Sequence, residues 1–365
     1  VASTDTTTPA EQYATLTERC GLVDRSERGK LALTGAGAEE FLNGQVTNEL
    51  IGLRPGEGCY AAFLTHKGKM LGDLRILAVG DESTSSAAST TAEASEDPRE
   101  LLLDTERSAL QALFDMIRRF KVGYEVDLHK RTLESALLSL VGPAADEVAT
   151  RTFSLGPSTS GSSVSAETPP YARARAGAQG MPKREHDHAL SYLGDTPVRL
   201  IRADVGLDLL LDASAIEAVR SALVDAGAVG VSEDAAEIVR VERGRPRYGV
   251  DLDDSTIPQE ASLNERAVSF TKGCYVGQET VARLHYRGKP NRHLRGLLLS
   301  EPAESGAELR LGERPVGRLG SSVLSPTFGP IGLALLRREA EPGAVVVVGD
   351  RGARATVTEL PFAPI

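Results

Sequence analysis

At 365 residues, with 41% hydrophobic and 25% charged residues, the chain is long enough to bury a sizeable core and to divide into two or three units. Its formal charge of −10 argues against broad attraction to a phosphate backbone, so direct contact with nucleic acid is not expected. No apolar run could span a bilayer, and the opening VASTDTTTPAEQYATLTERC has neither a basic n-region nor an apolar h-region, which together indicate a cytoplasmic protein without a membrane partner.

Residues 1–27 read as an N-terminal extension that carries the first of three well-separated cysteines, Cys20, Cys59 and Cys274. An odd count without a CxxC pair gives no disulfide framework, and no metal site is expected. The first α+β unit spans 28–132. It opens with the strand KLALTG and the short helix AEEFLNG, followed by the strands CYAAFLT, DLRILAV and ELLLDT. A helix then carries Leu110, Leu113, Phe114 and Ile117 at i, i+3, i+4 and i+7, and a strand lies near YEVDL. Inside this unit HKGK is a turn, and Asp73 sits just within the next strand, where aspartate is uncommon. It either caps the turn or aims a carboxylate into a central site. Residues 81–100, DESTSSAASTTAEASEDPRE, read as a low-complexity insertion.

The second α+β unit, 133–230, has the strand ALLSLVG, the helix PAADEVA, the strands VRLIRAD and GLDLLLD, and a helix with Ile216, Val219 and Leu223 stopped by Gly227. A flexible insertion is expected over 155–196. His186 and His188, in its EHDH, read as part of a solvated loop. Both units alternate strands and helices in the split ferredoxin-like manner, with helices on one face of an antiparallel sheet.

Residues 231–293 return chemistry to the centre. Ser232 is a good N-cap, Gly244 a plausible helix stop, and Pro246 bars further helix. Between them Ala235, Ile238, Val239 and Glu242 share an apolar face. A carboxylate there needs a partner, either a protein cation or a ligand with paired N–H donors. Further on, TKGCYVGQET places Lys272 two residues before Cys274, with Gly273 and Gly277 flanking Cys-Tyr-Val. Neighbouring cations favour a thiolate, although a single cysteine can equally be a small buried hydrophobe. From 294 to 365, LRGLLLS, AELRLG, PVGRLGSSVL, GLALLR, AVVVVG and ATVTEL read as short strands of a small β-barrel.

In order, TGAGAEEFLNGQVTNEL, HKGKMLGDLRI, RVERGRPRYGVDLDDSTIPQE and FTKGCYVGQETVARLHYRG resemble the YgfZ family of folate-binding proteins, relatives of the glycine-cleavage T-protein (aminomethyltransferase). The resemblance implies an α+β fold of two ferredoxin-like units and a C-terminal barrel, set as a three-domain ring around a central channel for tetrahydrofolate or a derivative. It implies an accessory role in assembly or repair of iron-sulfur enzymes, including tRNA-modifying ones, as client partners. The alternative is an aminomethyltransferase-like enzyme that moves a one-carbon unit to tetrahydrofolate. Residue by residue, it implies Glu242 as the pterin carboxylate ligand, Cys274 as a functional thiol supported by Lys272, and Asp73 as the carboxylate of the transfer site. Tyr248 and Tyr275 are candidates to stack on the folate, because the chain has no tryptophan. Gln278 and Arg283 complete the expected folate contacts, and Gln278 also shapes the loop.

Overall fold

A computed structural model of the chain describes residues 8–80, 100–153, 180–350 and 352–363. Most of the two expected insertions, 81–99 and 154–179, lies outside these residues. Along the chain, α1 (Pro9–Glu18) and β1 (Gly21–Asp24) come first, then β2 (Gly29–Thr34), α2 (Ala38–Asn43), β3 (Gly58–Leu64), β4 (Met70–Val79), β5 (Glu100–Thr105), α3 (Leu110–Phe120) and β6 (Asp127–Lys130). Next are β7 (Ser135–Val141), α4 (Ala145–Thr152), β8 (His188–Leu193), β9 (Thr196–Arg202), β10 (Leu207–Asp212), α5 (Ile216–Asp225) and β11 (Val229–Gly230). Three helices follow: α6 (Glu233–Glu242), α7 (Asn264–Ala267) and α8 (Gln278–Arg287). The chain ends in β12 (Arg292–Leu299), β13 (Glu308–Leu311), β14 (Arg314–Ser325), β15 (Gly329–Arg337), β16 (Val345–Val348) and β17 (Ala353–Thr358).

The fold is α+β, as expected. One sheet has the strand order β3-β4-β5-β2-β6, a second has β11-β1-β7-β10-β9-β8, and β12-β15-β14-β13-β16-β17 close into a barrel. Two expectations need correction. The stretch read as an N-terminal extension is structural: β1 pairs with β7 and β11, and Leu16 of α1 packs with Val23, Ala235 and Ala236. Its strand is too short to register as a strand by pattern alone. The second insertion is narrower than 155–196, because β8 pairs with β9 along His188 to Leu193.

Alternation along the strands explains how the sheets stack. In β4, Leu74, Ile76 and Ala78 turn toward α2 and α3 with Phe41, Leu42, Leu113 and Ile117. The other face, Leu77 and Val79, meets Leu137, Ile201 and Leu210 of the second sheet, with Ala32 and Leu102. Each sheet therefore has helices on its outer face and the other sheet on its inner face. That is why β4 and β7 are almost wholly buried. Val241, near the end of α6, packs on Leu294, Ile331, Leu333 and Phe362, which fastens the barrel to the rest.

Candidate functional site

The inner faces of the two sheets are apolar at one end and charged at the other. On the face of β4 that carries Leu77 and Val79, Arg75 stands two residues and Asp73 four residues before Leu77; two after Leu102 on β5 stands Asp104; two before Leu210 on β10 stands Asp208. A period of two carries each strand from core into a polar chamber without a change of direction. The resulting cavity, about 290 Å³, is closed by α6, the turn 243–248 and α7. It is near the lower end of the roughly 300–1,000 Å³ usual for small-molecule sites.

Eight arginines and eight carboxylates line this cavity. The balance leaves little net field for a bare anion, so a ligand has to offer both donors and acceptors. Most of these charges answer one another. Arg75 bridges the sheets, reaching Asp208 at 2.6 Å and Asp104 at 2.7 Å. Arg28 also holds Asp104, at 2.8 Å, and Ser139 donates to Asp208 at 2.6 Å. Despite burial, these cations hold both carboxyls below their ordinary range. At the mouth, Arg243 (2.7 Å) and Arg245 (2.5 Å) grip Asp204, and Arg247 reaches Glu233 at 2.7 Å.

Asp73 differs from these. It is 5% exposed, lines the cavity and forms no salt bridge among the described residues. Burial pushes its carboxyl up to about 6, opposed by a hydrogen bond from the Tyr60 hydroxyl and by the more distant Arg28 and Arg266, with Glu106 adding to the rise. A carboxyl near 6 can accept a proton and return it near neutral pH, which is the behaviour of a general acid–base group. Tyr60 and Tyr248 present rings to the same space, where they can pack against a flat ligand. Of the residues expected at the site, then, the structure brings Asp73 and Tyr248 together.

It does not bring the others there. Glu242 is not a lining residue: α6 and its C-cap show the cavity Glu233, Ala236, Val239, Arg240 and Arg243, whereas Ala235 packs against Leu16 of α1 and Val241 against the barrel. Its carboxylate accepts from the Tyr13 hydroxyl at 2.9 Å and from the Ser325 hydroxyl, so its partners are protein groups. The expected partner is a protein cation or a ligand with paired N–H donors; the structure supplies two protein hydroxyls instead.

The 271–280 stretch crosses the outside of the first unit. Val276 N–H donates to Gly44 carbonyl at 3.2 Å, and Gly277, at φ +84°, meets the β3–β4 turn so closely that a Cβ would stand 2.6 Å from Thr65 oxygen. Cys274 is exposed and away from the cavity lining. Lys272 does not support it: the ammonium donates to the carbonyls of Asn43 (2.8 Å), Val46 (2.9 Å) and Asn48 (2.5 Å), and burial pushes it down to about 8. These carbonyls follow α2 and have no helical partners of their own, so the lysine closes that loop. Tyr275 is buried in the cluster under the loop with Ala62, Leu64 and Met70. Gln278 donates to Gly273 carbonyl at 3.3 Å, and Arg283 is exposed on α8.

Sequence reasoning missed Tyr60, Arg75, Asp104, Asp208 and both histidines. His188 is 2% exposed, with Nδ1 2.8 Å from the guanidinium of the fully buried Arg199, and His186 lines the cavity. Neither is solvated, because the turn before β8 is trapped between the two sheets. One signal was available: charge recurs at every second position after the end of α6, at Arg243, Arg245 and Arg247.

Comparisons with known proteins agree with this architecture. The profile of the GCVT N-terminal domain matches residues 3–272, and that of the glycine cleavage T-protein C-terminal barrel domain matches 292–363. An aminomethyltransferase of Corynebacterium aurimucosum is 27% identical over 364 residues, covering 96% of this chain and 89% of its own. A putative chloroplastic transferase of Arabidopsis thaliana is 25% identical over 347 residues, covering 93% and 71%. The crystal structure of glycine cleavage system aminomethyltransferase T from Bartonella henselae superposes with a TM-score of 0.77 at 21% identity, covering 97% of this chain and 89% of that one. The chain belongs to the glycine cleavage T-protein family.

Proposed function

We propose, from that membership, that the chain binds tetrahydrofolate in the cavity between its two sheets and transfers a one-carbon unit to it, with Asp73 as the acid–base group. The observation that carries this reading is a buried carboxyl near 6 that forms no salt bridge among the described residues, in a cavity where most of the other charges are paired. Relatives that align over nearly the whole chain are named aminomethyltransferases. The cavity suits such a substrate. Tyr60 and Tyr248 offer faces to a pterin ring, the carboxylates offer acceptors for its N–H groups, and the arginines at the mouth offer donors to an acidic tail.

In this reading Asp73, ionised above about pH 6, takes the proton that the nucleophilic folate nitrogen loses as it bonds to the carbon of an aminomethyl group. It returns that proton to the amine, which departs as ammonia; the second folate nitrogen then displaces the donor, whose atom leaves with that nitrogen's proton as the methylene bridge closes. Tyr60 keeps the carboxylate oriented, and the closed wall of the two sheets keeps bulk water from competing. The test is to supply an aminomethyl donor and tetrahydrofolate and to measure methylenetetrahydrofolate and ammonia. Asp73→Asn is expected to lower transfer by about 10²–10⁴-fold while folate affinity, read by calorimetry, stays within about threefold. Wild-type protein that binds folate and forms no product would rule out the transferase reading.

A second reading is favoured by Cys274, which stands exposed on the outer face. In it the chain is a YgfZ-type folate-binding accessory protein for iron-sulfur enzymes, and the thiol meets a client enzyme from outside the ring. Cells that lack the protein, supplied with wild type or Cys274→Ser at equal abundance, separate the two. Loss of iron-sulfur tRNA-modifying activity with the serine variant alone supports the accessory role, and equal rescue sinks it.

A further inference from the structure

We infer that His186 is a positioning residue for Asp73, acting through the ring of Tyr60, with Arg266 as a second brace fixed by the neighbouring Glu185. The inference builds on the reading of Asp73 as the reacting acid, but it concerns the resting protein and is measurable there.

The turn that carries His186 is built to hold it. His186 has φ +76°, a left-handed conformation that a side chain disfavours, and such outliers persist only where surrounding contacts enforce them. Its N–H donates to Arg202 carbonyl at 2.9 Å in the second sheet, and His188 N–H donates to Gly56 carbonyl at 2.8 Å beside the first. Gly58 leaves room for the turn, since a Cβ there would lie 2.6 Å from the carbonyl oxygen of His186. Both sheets therefore grip the turn.

The two side chains converge on one ring. The imidazole of His186 lies nearly parallel to Tyr60, at 23° with centroids 6.0 Å apart. Glu185 binds Arg266 at 2.7 Å, and the Arg266 guanidinium carbon stands 5.2 Å from the Tyr60 centroid. Tyr60 pairs with Arg75 across β3 and β4, which sets it on the face that carries Asp73 two residues along, and its hydroxyl is the polar group on that face that favours the Asp73 carboxylate. His186 Nδ1 is shut from water and has no hydrogen-bond partner among the described residues, and burial with nearby Arg75 pushes the imidazole down to about 4. His186 is thus a neutral plate at neutral pH. It contributes packing to Tyr60 rather than charge to Asp73. The other groups that act on Asp73 are Glu106 beyond β5, Arg28 before β2 and Arg266 on α7, while Tyr248 faces it from the segment after α6.

The hydrogen bond from Tyr60 favours ionised Asp73, so a loosened ring lets the carboxyl rise. The experiment is a carbon-13 carboxyl NMR titration of Asp73 in ligand-free protein, assigned with Asp73→Asn. His186→Ala is expected to raise the Asp73 midpoint by about 0.5 to 1 pH unit, and His186→Phe, which keeps a flat ring, to restore it. The acid limb of any transfer pH–rate profile should move by the same amount, with kcat lowered more than KM. Thermal unfolding confirms that both variants are folded. A His186→Ala midpoint within about 0.2 unit of wild type, or a His186→Phe midpoint displaced as far as that of the alanine variant, overturns the inference. If the midpoint moves as expected and the wild type transfers no one-carbon unit, the proposed reaction fails while the positioning role stands.

Discussion

The cavity and the loop over 271–277 make opposite use of reactive side chains. The loop gathers lysine, cysteine and tyrosine within a few residues, yet the structure sends them apart: Lys272 inward to three carbonyls, Tyr275 into a hydrophobic cluster and Cys274 out to solvent. The cavity gathers residues as distant in sequence as Arg28, Asp73, Asp208 and Arg266. Density along the chain is thus a poor guide to proximity in space. What changes a group's chemistry is burial beside other groups, and the cavity supplies that through two facing sheets.

The largest expected break in this contrast comes from Arg75→Leu, which removes the bridge between the sheets and strips Asp208 and Asp104 of a buried cation. Urea unfolding should show a loss of about 3–5 kcal/mol. A loss below about 1 kcal/mol would mean that the network is no more than surface-like. Lys272→Met tests whether that lysine is structural. With the loop carbonyls left unanswered, stability should fall by about 2–4 kcal/mol, and folate affinity should remain unchanged; selective loss of affinity with normal stability would return Lys272 to the site.

Asp73→Asn sharpens the comparison through pH. A buried carboxyl raised to about 6 binds its proton more tightly in the folded state than in the unfolded chain. Its favourable contribution is complete below the ordinary aspartate pKa near 4 and disappears as pH rises through about 6. The asparagine variant should therefore be more stable than wild type by about 1–3 kcal/mol at pH 8, with the advantage gone near pH 4. Equal midpoints in denaturant at both pH values would show that Asp73 ionises normally. The smallest effect belongs to Cys274→Ser. Because the side chain is exposed and outside the cavity, stability should change by less than about 0.5 kcal/mol, and folate binding should not respond. In folded wild-type protein a maleimide should label Cys274 before Cys20, which is buried.

Elements with strong local signals are legible in the residues themselves. The helix over Leu110–Phe120 follows from its apolar stripe, α6 from Ser232 at its N-cap, whose hydroxyl accepts from Ala235 N–H at 3.3 Å, and the C-terminal strands from their turns. Elements that depend on distant partners are not. Strand β1 has only four residues and exists because β7 and β11 flank it. The charged EHDH stretch looks solvated until both sheets close on it.

The site divides along the same line. Spacing alone shows that Asp73 interrupts a strand, that Glu242 shares an apolar face, and that Cys274 lies in a dense motif. Only the tertiary structure decided which faces meet. Ala235 and Val241 of α6 pack on α1 and the barrel, and Glu242 meets Tyr13 of α1 rather than the cavity. The alternating faces of β4, β5 and β10 bring Asp73, Asp104 and Asp208 to one cavity, where Arg75 bridges Asp104 and Asp208 and leaves Asp73 outside that pairing. Periodicity fixes that a face exists. Its partner, and with it the burial that sets a carboxyl near 6 or leaves a thiol in water, depends on chain segments far away in sequence.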